Sequence, residues 1–422
     1  MSNLDQYKVQ HLLLLVGENP LPNYVAALTL LKDGGTVYLV FTEHTKTQKI
    51  CLLKQLREQK EVNIDKKIEP IDLAKYESDS YQIREKIQKR IKSVAGSIGL
   101  HYTGGTKAMA VHAYRAVQEL QPDAFFSYLD SRTLEMCIDR PNNSPIREKV
   151  SLKISFTKLF GLHNLKWQDD RPPSADPTLP EAAAKFAEFY QNKDLAKAWR
   201  DWCNNKLRRQ MKYYDQRNNH VWKPEDELKA QPTIEVQSLP TEIKNLLRQH
   251  LDASTDVLNI SVTQKKGFND LTHVCAWLDG VWLEDYVLQQ VKQLPSQYGI
   301  KKAGMSFHID DRENHSKKYP KFEFDVAFML GYQLFAISCT TSDKPSLCKQ
   351  KLFEASIRAR QLGGDEARVA LVCCYDQPSY IKSQLRTTIA DRKIEVFGRE
   401  DLLNLERKIG QWIDKNNQEA NQ

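Results

Sequence analysis

The apolar positions at the start of the chain fall into short continuous runs separated by stretches of helical period. Residues 11–16, from His11 to Val16, form a nearly unbroken apolar run, the signature of a strand covered on both faces. Val25, Ala26, Leu28 and Leu31 then recur at helical spacing up to Gly34 and Gly35, and residues 36–41 form the next strand-like run. Residues 97–100 read as a further strand, and Ala110, Val111, Ala113, Tyr114, Ala116 and Val117 as the helix behind it. Strands alternating with helices predict a parallel α/β sheet. Residues 124–129 and 133–138 read as an edge hairpin, and residues 150–156 as one more strand. The proline-rich stretch 169–177 reads as a linker. Helices are expected over 180–191, 195–214 and 241–253, the second with Trp199, Trp202, Leu207 and Met211 at helical spacing. The last third predicts a strand at 272–278 and a helix entered from Gly280 to Val287. Strands at 322–328, 333–341 and 368–375 follow, with a helix at 349–361 ending at Gly363 and Gly364. The pattern divides the chain into regions 1–160, 161–265 and 266–422.

Polar chemistry concentrates where the first strands end. His101-Tyr102-Thr103-Gly104-Gly105-Thr106-Lys107-Ala108-Met109 lies between a strand and a helix. Such a turn presents free N–H groups and the positive end of the helix dipole, an arrangement that holds anions. Gly104 and Gly105 permit close approach to the backbone, Thr103 and Thr106 add hydroxyls, and Lys107 adds a charge. The spacing is neither that of the phosphate-binding P-loop nor that of the dinucleotide fingerprint. The first strand ends in Gly17-Glu18-Asn19-Pro20 and runs on to Asn23; the second ends in a loop with Thr42 and Thr45. Ligands of open α/β sheets sit outside such carboxyl ends.

Composition narrows the class. With 41% hydrophobic and 27% charged residues, the chain reads as a soluble globular protein. No apolar stretch approaches the roughly 20 residues of a membrane helix, and the first residues lack the basic and apolar segments of a secretion signal. The eight cysteines show no Cys-x-x-Cys spacing, so no structural zinc site is expected and a reducing cytoplasm fits. A net charge of +7 permits a nucleic-acid partner without requiring one.

A second set of polar groups lies late in the chain. Glu323 and Asp325 share one face of an expected strand, with Phe322 and Phe324 on the other. Paired carboxylates in apolar surroundings suit a divalent cation, magnesium or manganese. The alternative is an edge strand with solvated carboxylates.

The run from His101 to Met109 resembles the ligand loop of CARF domains, the CRISPR-associated Rossmann-fold sensors of cyclic oligoadenylates. The resemblance implies that Gly17, Glu18, Asn19, Pro20, Asn23, Thr42, Thr45, Thr103, Gly104, Gly105, Thr106, Lys107 and Met109 line a ligand site. Gly280-Val281-Trp282-Leu283-Glu284 and Glu323-Phe324-Asp325-Val326 resemble the PD-(D/E)xK nuclease domain of CARF-linked effectors. Together these imply a Rossmann-like first domain, a helical central region and a restriction-endonuclease-like α/β domain. They imply a homodimer that binds a cyclic oligoadenylate, in the first instance cyclic tetraadenylate, and in response cleaves DNA or RNA with magnesium or manganese. Glu284 and Asp325 would be metal-ligating and catalytic carboxylates. The third strand departs from the pattern: Ser338 stands where the second carboxylate belongs and Thr340 where the lysine belongs. Glu323 can replace the carboxylate. Lys351, in preference to Lys349 or Lys344, can replace the lysine. A scaffold with an inactive effector, or a ring nuclease that degrades its own signal, are the alternative readings.

Overall fold

The computed structural model describes residues 3–59, 67–140, 143–169, 171–300, 302–311, 322–388 and 394–419; Asp170 of the expected linker lies outside them. The first strands are β1 (Val9–Leu15), β2 (Leu31–Phe41), β3 (Ile68–Asp72), β4 (Ile98–His101), β5 (Phe125–Asp130), β6 (Glu135–Arg140) and β7 (Asn143–Lys149). Helices α1 (Leu21–Leu30), α2 (Lys46–Arg57), α3 (Ser80–Ile91), α4 (Lys107–Leu120) and α5 (Phe156–Leu162) accompany them. The sheet has the order β3-β2-β1-β4-β5-β6-β7, with the first five strands parallel and β6 and β7 antiparallel. Alternation along β1 explains the layering. Leu12, Leu14 and Val16 join Leu21, Val25, Leu52 and Leu56 of α1 and α2 on one face. Leu13 and Leu15 join Ile83, Ile87, Met109, Ala113 and Val117 of α3 and α4 on the other. The chain thus winds in opposite senses on the two sides of β1.

Several elements differ from the sequence expectation. β2 begins at Leu31, not Thr36; the positive φ of Gly34 and a register shift against β1 absorb the two glycines. Residues 150–155 are not a strand. β7 precedes them, and the Ser155 hydroxyl caps α5 by accepting from Lys158 N at 3.3 Å.

The remaining elements build the second half. They include β8 (Leu165–Trp167), α6 (Pro180–Phe189), α7 (Lys193–Trp202), α8 (Arg208–Met211), α9 (Glu225–Ala230), α10 (Thr241–Leu251), α11 (Ile260–Gln264) and α12 (Leu271–Ala276). Two small antiparallel pairs, β9 (Lys212–Tyr214) with β10 (His220–Trp222) and β11 (Thr233–Glu235) with β12 (Val257–Asn259), lie among them. After α13 (Trp282–Gln293) come β13 (Ala303–Asp311), β14 (Phe322–Leu330), β15 (Gln333–Thr340), α14 (Pro345–Gly363), β16 (Arg368–Cys373), α15 (Pro378–Thr388), β17 (Ile394–Phe397) and α16 (Leu405–Glu419). The second sheet runs β17-β16-β15-β14-β13-β8, mixed in direction. Its edge strand β8 comes from a stretch read from sequence as the start of the central region.

Residues 272–278, expected as a strand, are helical. The Asp270 carboxylate caps the helix by accepting from His273 N at 2.8 Å, and Leu271, Val274, Cys275 and Leu278 bury one helical face. A short apolar run does not separate strand from helix by period alone. The helix expected over 195–214 passes through a widened turn at Cys203–Leu207 and stops at Met211, where β9 begins. None of the described helices is long and apolar enough to cross a membrane.

At the end of β4 the His101 ring is fully buried, its Nδ1 paired with Ser127 Oγ at 3.1 Å and its Nε2 without a partner. Burial pushes this imidazole down to about 3. Between that value and the ordinary 6.5 the unfolded chain carries a proton that the native state does not. Stability therefore rises with pH across this window, by at most about 1.4 kcal/mol per pH unit for the one group, and levels above it. Denaturant unfolding of His101→Asn from pH 4 to 8 should show a shallower rise than the parent chain.

Candidate functional site

Two sites emerge, at the carboxyl ends of β1 and β4 and at the centre of the second sheet. β1 and β4 are parallel neighbours, with Leu14 beside His101, and their following helices lie on opposite faces. A crevice outside such a reversal is the usual ligand position in open α/β sheets. The glycines act first on each other's loops. A Cβ on Gly104 would lie 2.1 Å from Leu15 O and 2.9 Å from Gly17 N, and one on Gly17 would lie 2.9 Å from Gly105 N. Gly105, at φ +74°, is also conformationally required.

The expected ligand residues divide by exposure. Glu18, Gly105, Thr106 and Lys107 are exposed; Gly17, Asn19, Thr103 and Gly104 are half-buried; Pro20, Asn23, Thr42, Thr45 and Met109 are buried. The buried ones shape the loops. Asn23 donates Nδ2 to Leu15 O at 2.9 Å, and its Oδ1 is buried without a partner. Thr42 N donates to Thr45 Oγ at 3.0 Å, while Met109 packs in the core under Gly105. Thr106 caps α4 by accepting from Met109 N at 3.2 Å and donates to Glu77 O at 2.9 Å. Thr103 Oγ accepts from Leu129 N at 2.7 Å. Lys107 stands at the first position of α4, exposed just beyond the carboxyl end of β4.

The second site is a cavity of 440 Å³ lined by Glu323, Asp325, Ser338, Lys351, Glu354 and Arg358, among others. Asp325 Oδ2 accepts from Ser338 Oγ at 2.8 Å and Cys339 N at 2.6 Å, and lies 3.6 Å from Lys351 Nζ. The charge of Asp325 raises the Lys351 ammonium above its ordinary value, against the effect of burial. Glu284, in the first turn of α13, accepts from Ser306 Oγ at 2.9 Å. Burial, with the neighbouring charge of Asp325, holds the Glu284 carboxyl well above the usual carboxylate range. The sequence offered Glu284, Asp325 and Lys351 as candidates, and the fold places these three near one another. It missed Ser306, whose only signal is a small polar residue in an apolar strand.

Glu323 lines the same cavity as Asp325, and its Oε1 pairs with His308 Nδ1 at 3.1 Å, a bond that lowers the Glu323 carboxyl. Among the described residues no group of three or more His, Cys, Asp or Glu is arranged to hold a metal ion. Besides Glu323, the donors are two carboxylates, Glu284 and Asp325, and one hydroxyl, Ser338. Two mutually repelling carboxylates fit magnesium, which takes one or two carboxylates and keeps several waters. Lys349 turns away, 3.3 Å from Gln384 Oε1 and over the Tyr380 ring, and Lys344 is the exposed residue preceding α14. Thr340 Oγ accepts from Ser342 N at 3.3 Å and lines a separate cleft with Arg200.

The two sites are joined inside one chain. Helix α14, 19 residues long, carries Lys351 near its start and ends at Gly363. Gly364, at φ +60°, follows, and a Cβ there would lie 2.0 Å from Asn19 Nδ2 in the loop after β1.

No family model and no curated protein matches the chain. Solved structures do. Protein VC1899 from Vibrio cholerae matches with a TM-score of 0.67 at 14% identity, over 96% of this chain and 98% of that one. Can2 from Sulfobacillus thermosulfidooxidans, solved in complex with cyclic tetra-adenylate, matches with a TM-score of 0.68 at 16% identity, over 96% and 99%. A type III CRISPR defence DNA nuclease activated by cyclic oligoadenylate matches with a TM-score of 0.50 at 18% identity. That match covers 86% of this chain and 45% of that one. Across nearly its whole length, this chain has the mixed α/β fold of VC1899 and Can2, with a seven-stranded, doubly wound first sheet and a six-stranded mixed second sheet.

Proposed function

We propose that this chain is a CARF-type ancillary effector of CRISPR defence: a homodimer that binds a cyclic oligoadenylate and in response cleaves nucleic acid with a divalent metal. The observation that carries the reading is Lys351 at 3.6 Å from Asp325, with Glu284 close enough for its ionisation to respond to both. A migrated lysine supplies the charge that Thr340 lacks. The closely apposed glycine loops at the ends of β1 and β4 support the sensor half, and the cyclic tetra-adenylate in the Can2 complex makes that ring size the first to test.

The chain's own residues divide the work. Lys107 and the first N–H groups of α4 meet ligand phosphates. A ligand with two-fold symmetry calls for the same loops from two copies, which is the basis for the dimer. Glu284 and Asp325, with the Ser338 hydroxyl beside them, would hold magnesium or manganese. Such an ion, when bound, polarises a phosphoryl oxygen and lowers the pKa of water. Lys351 stabilises charge developing on the phosphate and orients the attacking water. Ser338, which donates to Asp325 rather than adding a charge, is the feature that favours the alternative of an inactive, ligand-binding scaffold.

Calorimetry with cyclic tetraadenylate, paired with cleavage assays on DNA and RNA in manganese, tests the reading. Lys107→Ala should weaken ligand binding about ten- to hundredfold, the equivalent of roughly 1.5–3 kcal/mol. Asp325→Asn should abolish cleavage, and Lys351→Ala should reduce it by about two to three orders of magnitude with ligand affinity unchanged. Cleavage that persists in Asp325→Asn places the chemistry elsewhere. Ligand binding without cleavage in the parent chain selects the scaffold.

Regulation should pass along α14, which spans roughly 28 Å at the usual helical rise. Gly364→Ala places a methyl against Asn19 and forces a residue with a Cβ into an extended, positive-φ backbone that favours glycine, at a cost of about 1–3 kcal/mol. Cyclic tetraadenylate should still bind this variant, while its stimulation of cleavage falls by about 5- to 150-fold, the usual range for coupling between sites. Parallel calorimetry and cleavage rates, with and without ligand, measure both effects.

A further inference from the structure

β13 and β14 pair antiparallel in a single register, Met305 with Val326 and Phe307 with Phe324. Ser306 falls between, opposite Asp325, at the one position of this stretch that drops out of the ladder. Its φ is +55°, and among the described residues it is the only non-glycine residue with positive φ inside a strand. Left-handed backbone costs a residue with a Cβ roughly 1–2 kcal/mol, and glycine would avoid that cost. Such outliers persist where the surroundings fix them, often at functional sites.

The hydroxyl gives the strain an object. Ser306 Oγ donates to Glu284 Oε2 at 2.9 Å, while Ser338 Oγ donates to Asp325 Oδ2 at 2.8 Å. Each of the two carboxylates is therefore gripped through one oxygen by a serine from a neighbouring strand. Resting on the nuclease reading above, we infer that Ser306 is a positioning residue of that centre: its left-handed backbone aims a hydroxyl at Glu284 and fixes the carboxylate orientation offered to the metal ion. A bare kink in β13 would equally be made by glycine. The serine adds a donor at the one carboxylate that comes from a helix rather than from the sheet, and which therefore has no strand ladder to hold it.

The test uses full-length protein loaded with cyclic tetraadenylate and compares Ser306→Gly and Ser306→Ala with the parent chain. Three quantities are read: denaturant stability, Mn²⁺ affinity by calorimetry, and the Mn²⁺ dependence of cleavage. Ser306→Gly relieves the backbone strain and removes the hydroxyl, so it should be at least as stable as the parent. Its Mn²⁺ affinity or cleavage rate should nevertheless fall by about 10- to 100-fold, the usual effect of losing a partner of a metal ligand. Ser306→Ala should lose the same function and keep the strain. A Ser306→Gly protein with parental Mn²⁺ affinity and parental cleavage overturns the inference. If the parent binds Mn²⁺ without cleaving, the nuclease reading fails while the change in Mn²⁺ affinity still decides the role of Ser306. If the parent does not bind Mn²⁺, both fall.

Discussion

The two halves of this molecule are held by one continuous apolar core that passes between the sheets. Phe156 and Phe160 of α5 carry it across. Phe156 packs on Phe307 of β13 with ring centroids 4.9 Å apart, and Phe160 meets both Phe307 and Trp167 of β8. Leu12 and Leu14 of β1 belong to the same buried cluster as Ala327 and Leu334 of the second sheet. Close-packed interiors transmit displacement instead of absorbing it. This is why the contact of Asn19 with Gly364 has consequences: α14 is wedged on the second sheet, and its far end touches a loop of the first.

At the centre of the second sheet electrostatics replaces packing. A carboxylate on a mid-sheet strand must be met by donors. Asp325 is met by the Ser338 hydroxyl, the Cys339 N–H and the Lys351 ammonium. Glu284, among the described residues, is met by the Ser306 hydroxyl, and burial with the neighbouring charge of Asp325 resists its ionisation. The site thus holds one well-compensated carboxylate and one poorly compensated one. That imbalance suits a bound cation, whose charge would stabilise the second.

At the first site the controlling constraint is steric. The loops after β1 and β4 approach so closely that neither Gly17 nor Gly104 has room for a Cβ. Thr42, Thr45, Asn23 and Met109 hold these loops from beneath. The rim is left to Glu18, Gly105, Thr106 and Lys107, a small polar set at the start of α4.

The parallel first sheet was legible along the chain, because continuous apolar runs ending in glycine and threonine admit few other structures. The sequence also placed Glu323 and Asp325 together, because strand alternation puts both on one face before any contact is known; Glu284 and Lys351 came from the resemblance to a nuclease motif and from the lysine missing at Thr340. It misread residues 272–278, since a short apolar run has no period long enough to separate strand from helix, and the Asp270 cap decided the matter. Only the neighbouring strand, by placing His308 opposite Glu323, decided the partner that carboxylate meets. The left-handed turn of Ser306 toward Glu284 and the contact of Asn19 with Gly364 belong wholly to tertiary structure. Each joins residues far apart in the chain, and no local pattern encodes which distant side chain a backbone will meet.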